Sequence, residues 1–244
     1  MDYLLMIKLI KFCLGLFDYF IEKRILFEIK KIFLGKNHIS IIDVGAHKGE
    51  YITNILKHFN VKIGYCFEPN PGVFKILQNK IKNKNNIELV NLGVSDSNCR
   101  INFNVNIESS SSSINNLNEK SSYYKKKFFL LNFFQSSNVT KAINIDVITL
   151  DNFIEKNRIN HQIDLLKIDT EGHEMQVLRG LKDKIKNIKL IHFEHHFDDM
   201  IIKSYKLSDI HNYLNDNGFK KKFKIKMKFR KSFEYLYLNK EFSL

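Results

Sequence analysis

Three stretches of this chain concentrate side chains that can do chemistry. In "KIDTEGHE", Asp169, Glu171 and His173 fall close together, and groups of these types can hold a hydroxyl or take its proton at hydrogen-bond reach. Asp169 is the leading base or acceptor anchor, followed by His173 and then Glu171. The plainer reading of Glu171 and His173 is that they cap or orient the helix that follows. In "FEPNP", Glu68 stands before Pro69, Asn70 and Pro71, whose prolines are the only two in the chain. A carboxylate at the end of a second parallel strand can accept hydrogen bonds from ribose hydroxyls. In "SIIDVGAHKGEYITNIL", Gly45 and Gly49 let the backbone turn sharply and approach a ligand, with Asp43, Ala46, His47 and Tyr51 around them.

The letters of that turn exclude two phosphate binders. A P-loop needs Gly-Lys-Ser/Thr, and Gly49-Glu50-Tyr51 does not supply it. A dinucleotide fingerprint needs G-x-G-x-x-G, but His47 and Glu50 take the second and third glycine places. Glu50 puts a negative charge where a pyrophosphate would lie, and Asp43 would repel phosphate and attract an ammonium. The turn and Glu68 together specify a nucleoside carrying a cationic amino-acid tail, which S-adenosylmethionine fits.

The elements around these residues alternate strand and helix, as a doubly wound α/β sheet requires. Periodicity predicts strands over 39–44, 63–68, 87–93, 164–169 and 188–194, and helices over 50–59, 72–82, 150–157, 173–182 and 207–217. Ligands bind such sheets outside the carboxyl ends of the strands, where Asp43 to Gly49, Glu68, Gly93 to Asp96 and Asp169 to His173 lie. Ser95 and Asp96 follow the third strand, where a carboxylate can accept from an adenine amino group. Asp96 reads equally as a plain turn residue of "SDSN". An insertion over 98–148 carries two further strands, marked by Ile101, Phe103, Val105 and Ile107 and by Ile143, Ile145 and Val147. Between them Ser109 to Ser113 is either a flexible linker or a lid touching the acceptor through Ser111 and Ser112. At the end of the chain, lysines alternating with Phe223, Ile225, Met227 and Phe229 predict an edge strand protected from aggregation, with Tyr235 to Leu238 as its antiparallel partner.

The stretches "DVGAHKGEY", "FEPNP", "VITLDNFI" and "IDLLKIDTEGHEMQVLRGL" occur in the order and approximate spacing of the FkbM-type methyltransferases, which this chain resembles over roughly Asn37 to Leu238. One departure is that Ile52 stands between Tyr51 and Thr53, where the family usually has Thr directly after Tyr. The resemblance implies a Rossmann-like, doubly wound class I methyltransferase sheet, mostly parallel, with a terminal antiparallel hairpin. It further implies S-adenosylmethionine as cofactor and O-methylation of a hydroxyl on a sugar, glycan or secondary metabolite. Glu194 and His195, at the end of the fifth strand, would then line the acceptor pocket.

Composition sets the remaining bounds. The chain has 244 residues, 44% of them apolar, which suits a globular α/β unit. The net charge of +13 raises nucleic-acid binding, but lysine and asparagine are spread everywhere and no such motif occurs. Cys13, Cys66 and Cys99 lack metal-ligand spacing and suit a reducing, cytoplasmic setting. "IHFEHHFDD" invites a metal, yet on a strand His192, Glu194 and His196 share one face and His195 the other, so no metal is assigned. Residues 1–36 form a helical extension to the catalytic domain at 37–244. Lys8, Lys11, Gly15, Asp18 and Glu22 draw a narrow polar stripe along that helix. It is expected to bury most of its girth against the domain or in a homodimer, the other reading being peripheral contact with the inner face of a membrane. The rivals to a methyltransferase are an NAD-dependent oxidoreductase and a non-catalytic glycan- or membrane-associated module.

Overall fold

The computed structural model describes residues 3–105, 112–116, 118, 120–122, 141–228 and 230–242, with side chains from residue 15 onward. In chain order the strands are β1 (Ile39–Val44), β2 (Val61–Phe67), β3 (Ile87–Val90), β4 (Gly93–Val94), β5 (Cys99–Val105), β6 (Lys141–Ile148), β7 (Ile163–Ile168), β8 (Ile188–His196), β9 (Phe219–Lys226) and β10 (Ser232–Asn239). The α-helices are α1 (Tyr3–Ile32), α2 (Glu50–His58), α3 (Pro71–Ile81), α4 (Leu150–Lys156), α5 (Glu174–Arg179) and α6 (Leu207–Asp216).

The short, β-branched apolar runs occupy the middle of the sheet. Every residue of β1 and of β7 is buried, as strands covered on both faces must be. The seven-stranded sheet runs β3-β2-β1-β7-β8-β10-β9. Its β1, β2, β3, β7 and β8 pairings are parallel, while β10 is antiparallel to both β8 and β9. The chain therefore has the mostly parallel α/β sheet with a reversed terminal hairpin that its sequence predicts.

Several boundaries differ from the sequence expectation for local reasons. The third strand does not continue to Gly93. Gly93 and Val94 instead join β6, which pairs antiparallel with β5, in a separate three-stranded sheet. A Cβ on Gly93 would lie 2.8 Å from Val147 Cγ1, so the glycine is what lets this segment close onto β6. The helix expected over 173–182 ends at Gly180, and Lys182–Asn187 is 3₁₀. β8 runs two residues past Glu194, which brings His196 into the strand. Ile107, Ser109, Ser110, Ser111 and Phe229 lie outside the described residues.

From Gly15 onward, where its side chains are described, α1 packs one face on the domain. Ile21, Ile25, Leu26 and Ile29 are buried with Ile41, Leu190, Leu236 and Leu238 on the sheet. Leu16, Tyr19, Phe20 and Phe27 are exposed, so the domain itself does not bury most of the girth of this segment. Asp18 is half-buried and Glu22 exposed. They line a cleft over the carboxyl ends of the strands.

Candidate active site

The turn after β1 is held by backbone contacts that only its sequence permits. Gly45 and Ala46 both donate to the carbonyl of Phe67, and Gly49 donates to that of Ala46. Gly45, His47 and Gly49 all have positive φ, at 82°, 49° and 78°. A Cβ on Gly45 would lie 1.9 Å from the Asp169 carbonyl oxygen, so β1 and β7 can end side by side only with glycine there. Gly45→Ala is accordingly expected to lower stability by about 2–3 kcal/mol. A thermal melt matching the wild type would contradict the packing of this turn.

Glu68 braces the same turn from β2. One carboxylate oxygen accepts from His47 N at 2.9 Å and the other from Asn70 N at 2.8 Å. Burial raises its pKa, with these backbone donors and His47 opposing. Each oxygen keeps a lone pair for a further donor. Asn70 in turn caps α3 by accepting from Gly72 N, while Pro69 lines the cleft. Asp43 sits beneath the turn, off the cleft wall, with Oδ2 unpartnered. Burial pushes it up to about 7 against the opposing Lys167 charge. Glu50 is held down at about 2 by its hydrogen bond with His47, whose Nδ1 is 3.4 Å away.

Across the cleft, β7, β8 and β10 build a polar network that sequence reasoning missed. Lys167, buried in β7, lies 3.4 Å from Asp169 Oδ2 and 3.5 Å from Glu234 Oε2. His192 Nε2 is 2.9 Å from the same Glu234 oxygen, and its Nδ1 is 2.9 Å from the Tyr51 hydroxyl. Burial, reinforced by Lys167, lowers the His192 pKa and favours the neutral ring, with Glu234 and Asp169 opposing. A neutral ring donates to Glu234 through Nε2 and accepts from Tyr51 through Nδ1. Tyr51, Lys167, Asp169, His192, Glu194 and Glu234 all border one cleft of about 380 Å³.

Glu194 is a strongly perturbed carboxyl in that cleft. Burial, together with the charges of Glu234 and Asp169, raises it to about 8 while His196 opposes. Its Oε1 lies 3.5 Å from His196 Nε2 without a hydrogen bond. His196 is also 3.2 Å from Glu171 Oε2 and 3.5 Å from Asp198 Oδ2, which outweigh burial and hold it at about 10. The Asp169–Gly172 turn is itself clamped by Glu174, which accepts from Thr170 Oγ1 at 3.2 Å, from Gly172 N at 2.8 Å and from Tyr205. Ser113 Oγ donates to the Glu171 carbonyl at 2.8 Å, and Ser112 lines the cleft beside it. The serine tract thus meets the site at its described end, with Ser111 outside the described residues.

Besides Asp43, the structure places His173, Ser95, Asp96 and His195 away from the cleft. His173 is buried with its Nε2 2.9 Å from Ser95 Oγ, and burial lowers its pKa to about 4. This pair ties the segment after β4 to the start of α5 and does not border the cleft. Asp96 is exposed and accepts locally from Ser95 and Ser97, as a turn residue does. His195 points to the other face of β8, against Phe197 and Tyr205, and burial lowers it to about 3. Leu92, Gly93, Val94 and Phe103 line the cleft instead. Among the described residues no His, Cys, Asp and Glu side chains are grouped to hold a metal ion.

A family model for the methyltransferase FkbM domain matches residues 43–221. Among solved structures, the fold is similar to that of a methyltransferase FkbM from Methylobacillus flagellatus KT, with 17% identity and a TM-score of 0.53. That match covers 82% of this chain and 44% of the other, so this chain spans less than half of that protein's length. The chain is also similar to TrmK from M. capricolum, solved with S-adenosyl-homocysteine, at 11% identity and a TM-score of 0.47, over 87% of this chain and 68% of that one. No curated protein matches.

Proposed function

Because the chain belongs to the methyltransferase FkbM domain family, we propose that it uses S-adenosylmethionine to methylate a hydroxyl oxygen on a small-molecule or glycan acceptor. The observation that carries this reading is the order of carboxylates along one cleft. Glu68 follows β2, the glycine turn follows β1, Asp169 and Glu171 follow β7, and Glu194 stands near the end of β8. A ribose acceptor and a proton-accepting cluster therefore lie on opposite sides of the turn.

The residues present fit the cofactor. The cleft volume falls within the roughly 300–1,000 Å³ of small-molecule sites. Glu68 has free lone pairs for ribose hydroxyls, and Leu92, Val94 and Phe103 offer apolar walls to a purine. When bound, the cofactor supplies an electrophilic methyl group on a sulfonium. The chain's part is alignment, exclusion of water and removal of one proton.

Asp169, oriented by Lys167, anchors the acceptor hydroxyl. Glu194 takes its proton, with Glu171 and His196 setting the local charge. Ile21, Ile25, Leu26 and Met227 close the cleft with apolar surface, which keeps water from competing with the acceptor. Within this reading the protein is a cytoplasmic enzyme of glycan biosynthesis. The test is incubation of the full chain with methyl-labelled S-adenosylmethionine and a panel of sugars, glycans and hydroxylated metabolites. Label recovered as a methyl ether is the expected outcome. Transfer to nitrogen, or no transfer to any hydroxyl by a protein that binds the cofactor, would overturn it.

A further inference from the structure

The outer face of α1 carries a surface that the catalytic reading does not use. Phe20, Phe27 and Leu34 recur every seven residues and are 63%, 57% and 85% exposed, so they form one stripe along the helix and its end. Leu16 and Tyr19 extend the stripe. Its borders are cationic, since Lys23, Arg24, Lys30 and Lys31 are all exposed. Two of these lysines lie over the aromatic rings, Lys23 Nζ 4.5 Å from Tyr19 and Lys31 Nζ 4.5 Å from Phe27. Of the acids in the same segment, Glu28 offsets one of these cations, Lys31, while Asp18 and Glu22 are engaged elsewhere. Asp18 is paired with Arg230 at 2.7 Å, Glu22 borders the cleft, and half-buried Glu28 is bonded to Lys31 at 3.2 Å.

We propose that this face docks the protein on an anionic lipid bilayer, with α1 lying in the plane of the interface. An apolar stripe with aromatic residues, edged by lysine and arginine, suits that position, because rings and methyl groups enter the headgroup boundary while the cations meet lipid phosphates. No described helix is long and apolar enough to cross a membrane, so the contact is peripheral. A second copy of the chain would set the same lysines against each other across the interface. A nucleic acid would use the cations and leave the phenylalanines in water. The inner face of the same helix, through Ile21 and Glu22, forms part of the cleft wall, so the docked surface and the site share one helix.

Flotation of the full chain with vesicles tests this without cofactor, so the result is independent of the methyltransferase reading. Binding to phosphatidylcholine vesicles containing phosphatidylglycerol, and at least about tenfold weaker binding to pure phosphatidylcholine, is expected at low salt. F20E/F27E should reduce binding at least about tenfold, and K23Q/R24Q/K30Q/K31Q should remove the preference for anionic lipid. Both sets lie on the surface, and thermal melts alongside show whether each variant is folded. No flotation of the wild type with anionic vesicles overturns the proposal. So does a wild-type dimer in sedimentation that F20E/F27E converts to monomer, or binding to RNA that the vesicles do not compete away.

Discussion

Glu194→Gln is expected to lower kcat by about 10²- to 10⁴-fold, the usual worth of a positioned general base. The size follows from where Glu194 sits. It is buried beside Asp169 and Glu234, whose charges add to the effect of burial and bring its pKa to about 8. A carboxylate with so high a value is a far stronger base than an exposed one. It acts only when deprotonated, so wild-type kcat should rise as pH approaches 8 and level off above it. The variant should lose that limb. Stability gives a control of opposite sign. A carboxyl whose folded value is raised from 4.5 to about 8 favours folding in full below its unfolded value, and this contribution is lost as pH rises through 8. Glutamine stays neutral, so the variant should be at least as stable as the wild type at alkaline pH. An unchanged pH–rate profile in Glu194→Gln would remove Glu194 from the chemistry.

Glu234→Ala is expected to cost about 3–5 kcal/mol of folding stability, the range for breaking a buried ion pair by removing one partner. Lys167 is only 4% exposed and would keep a single counter-charge at Asp169, while His192 would lose its acceptor. Burial alone would raise Glu234, but Lys167 and His192 together hold it at about 2. With its folded value depressed from 4.5, its contribution is present above 4.5 and is lost as pH falls through 2. Denaturant unfolding near neutral pH reads the loss directly. The double variant Lys167→Met/Glu234→Leu should recover most of it, because an apolar pair of similar volume removes both buried charges. A Glu234→Ala loss below about 0.5 kcal/mol, the scale of an ordinary surface change, would contradict the network.

The sequence showed more of the sheet than of the site, and the reason differs from residue to residue. β1, its glycine turn and Glu68 were legible because strand burial, backbone geometry and helix entry act over a few neighbouring positions. The terminal hairpin was legible because alternation has a period of two. Lys167, His192 and Glu234 were not, although "LLKID" and "SFEYLYL" each place a charge in an otherwise apolar strand. Their meeting depends on register, Lys167 opposite His192 and Glu234 opposite Glu194, which is set by tertiary pairing of β7, β8 and β10. His173 and His195 were misplaced for a related reason. Proximity along "EGHE" and "FEHHF" says nothing of which face a side chain takes once Ser95, Tyr205 and Phe197 are packed against it. The cleft wall supplied by α1 lay wholly outside the motif-bearing region.

The most direct test of the central claim is calorimetric titration of S-adenosylhomocysteine and NAD into the full chain and into Glu68→Ala. The account predicts that the adenosyl ligand binds and NAD does not. It also predicts that the variant binds at least about tenfold more weakly, since each hydrogen bond to a charged group is worth about 1.5–3 kcal/mol. NAD binding, or an adenosyl affinity indifferent to Glu68, would contradict the assignment of this cleft.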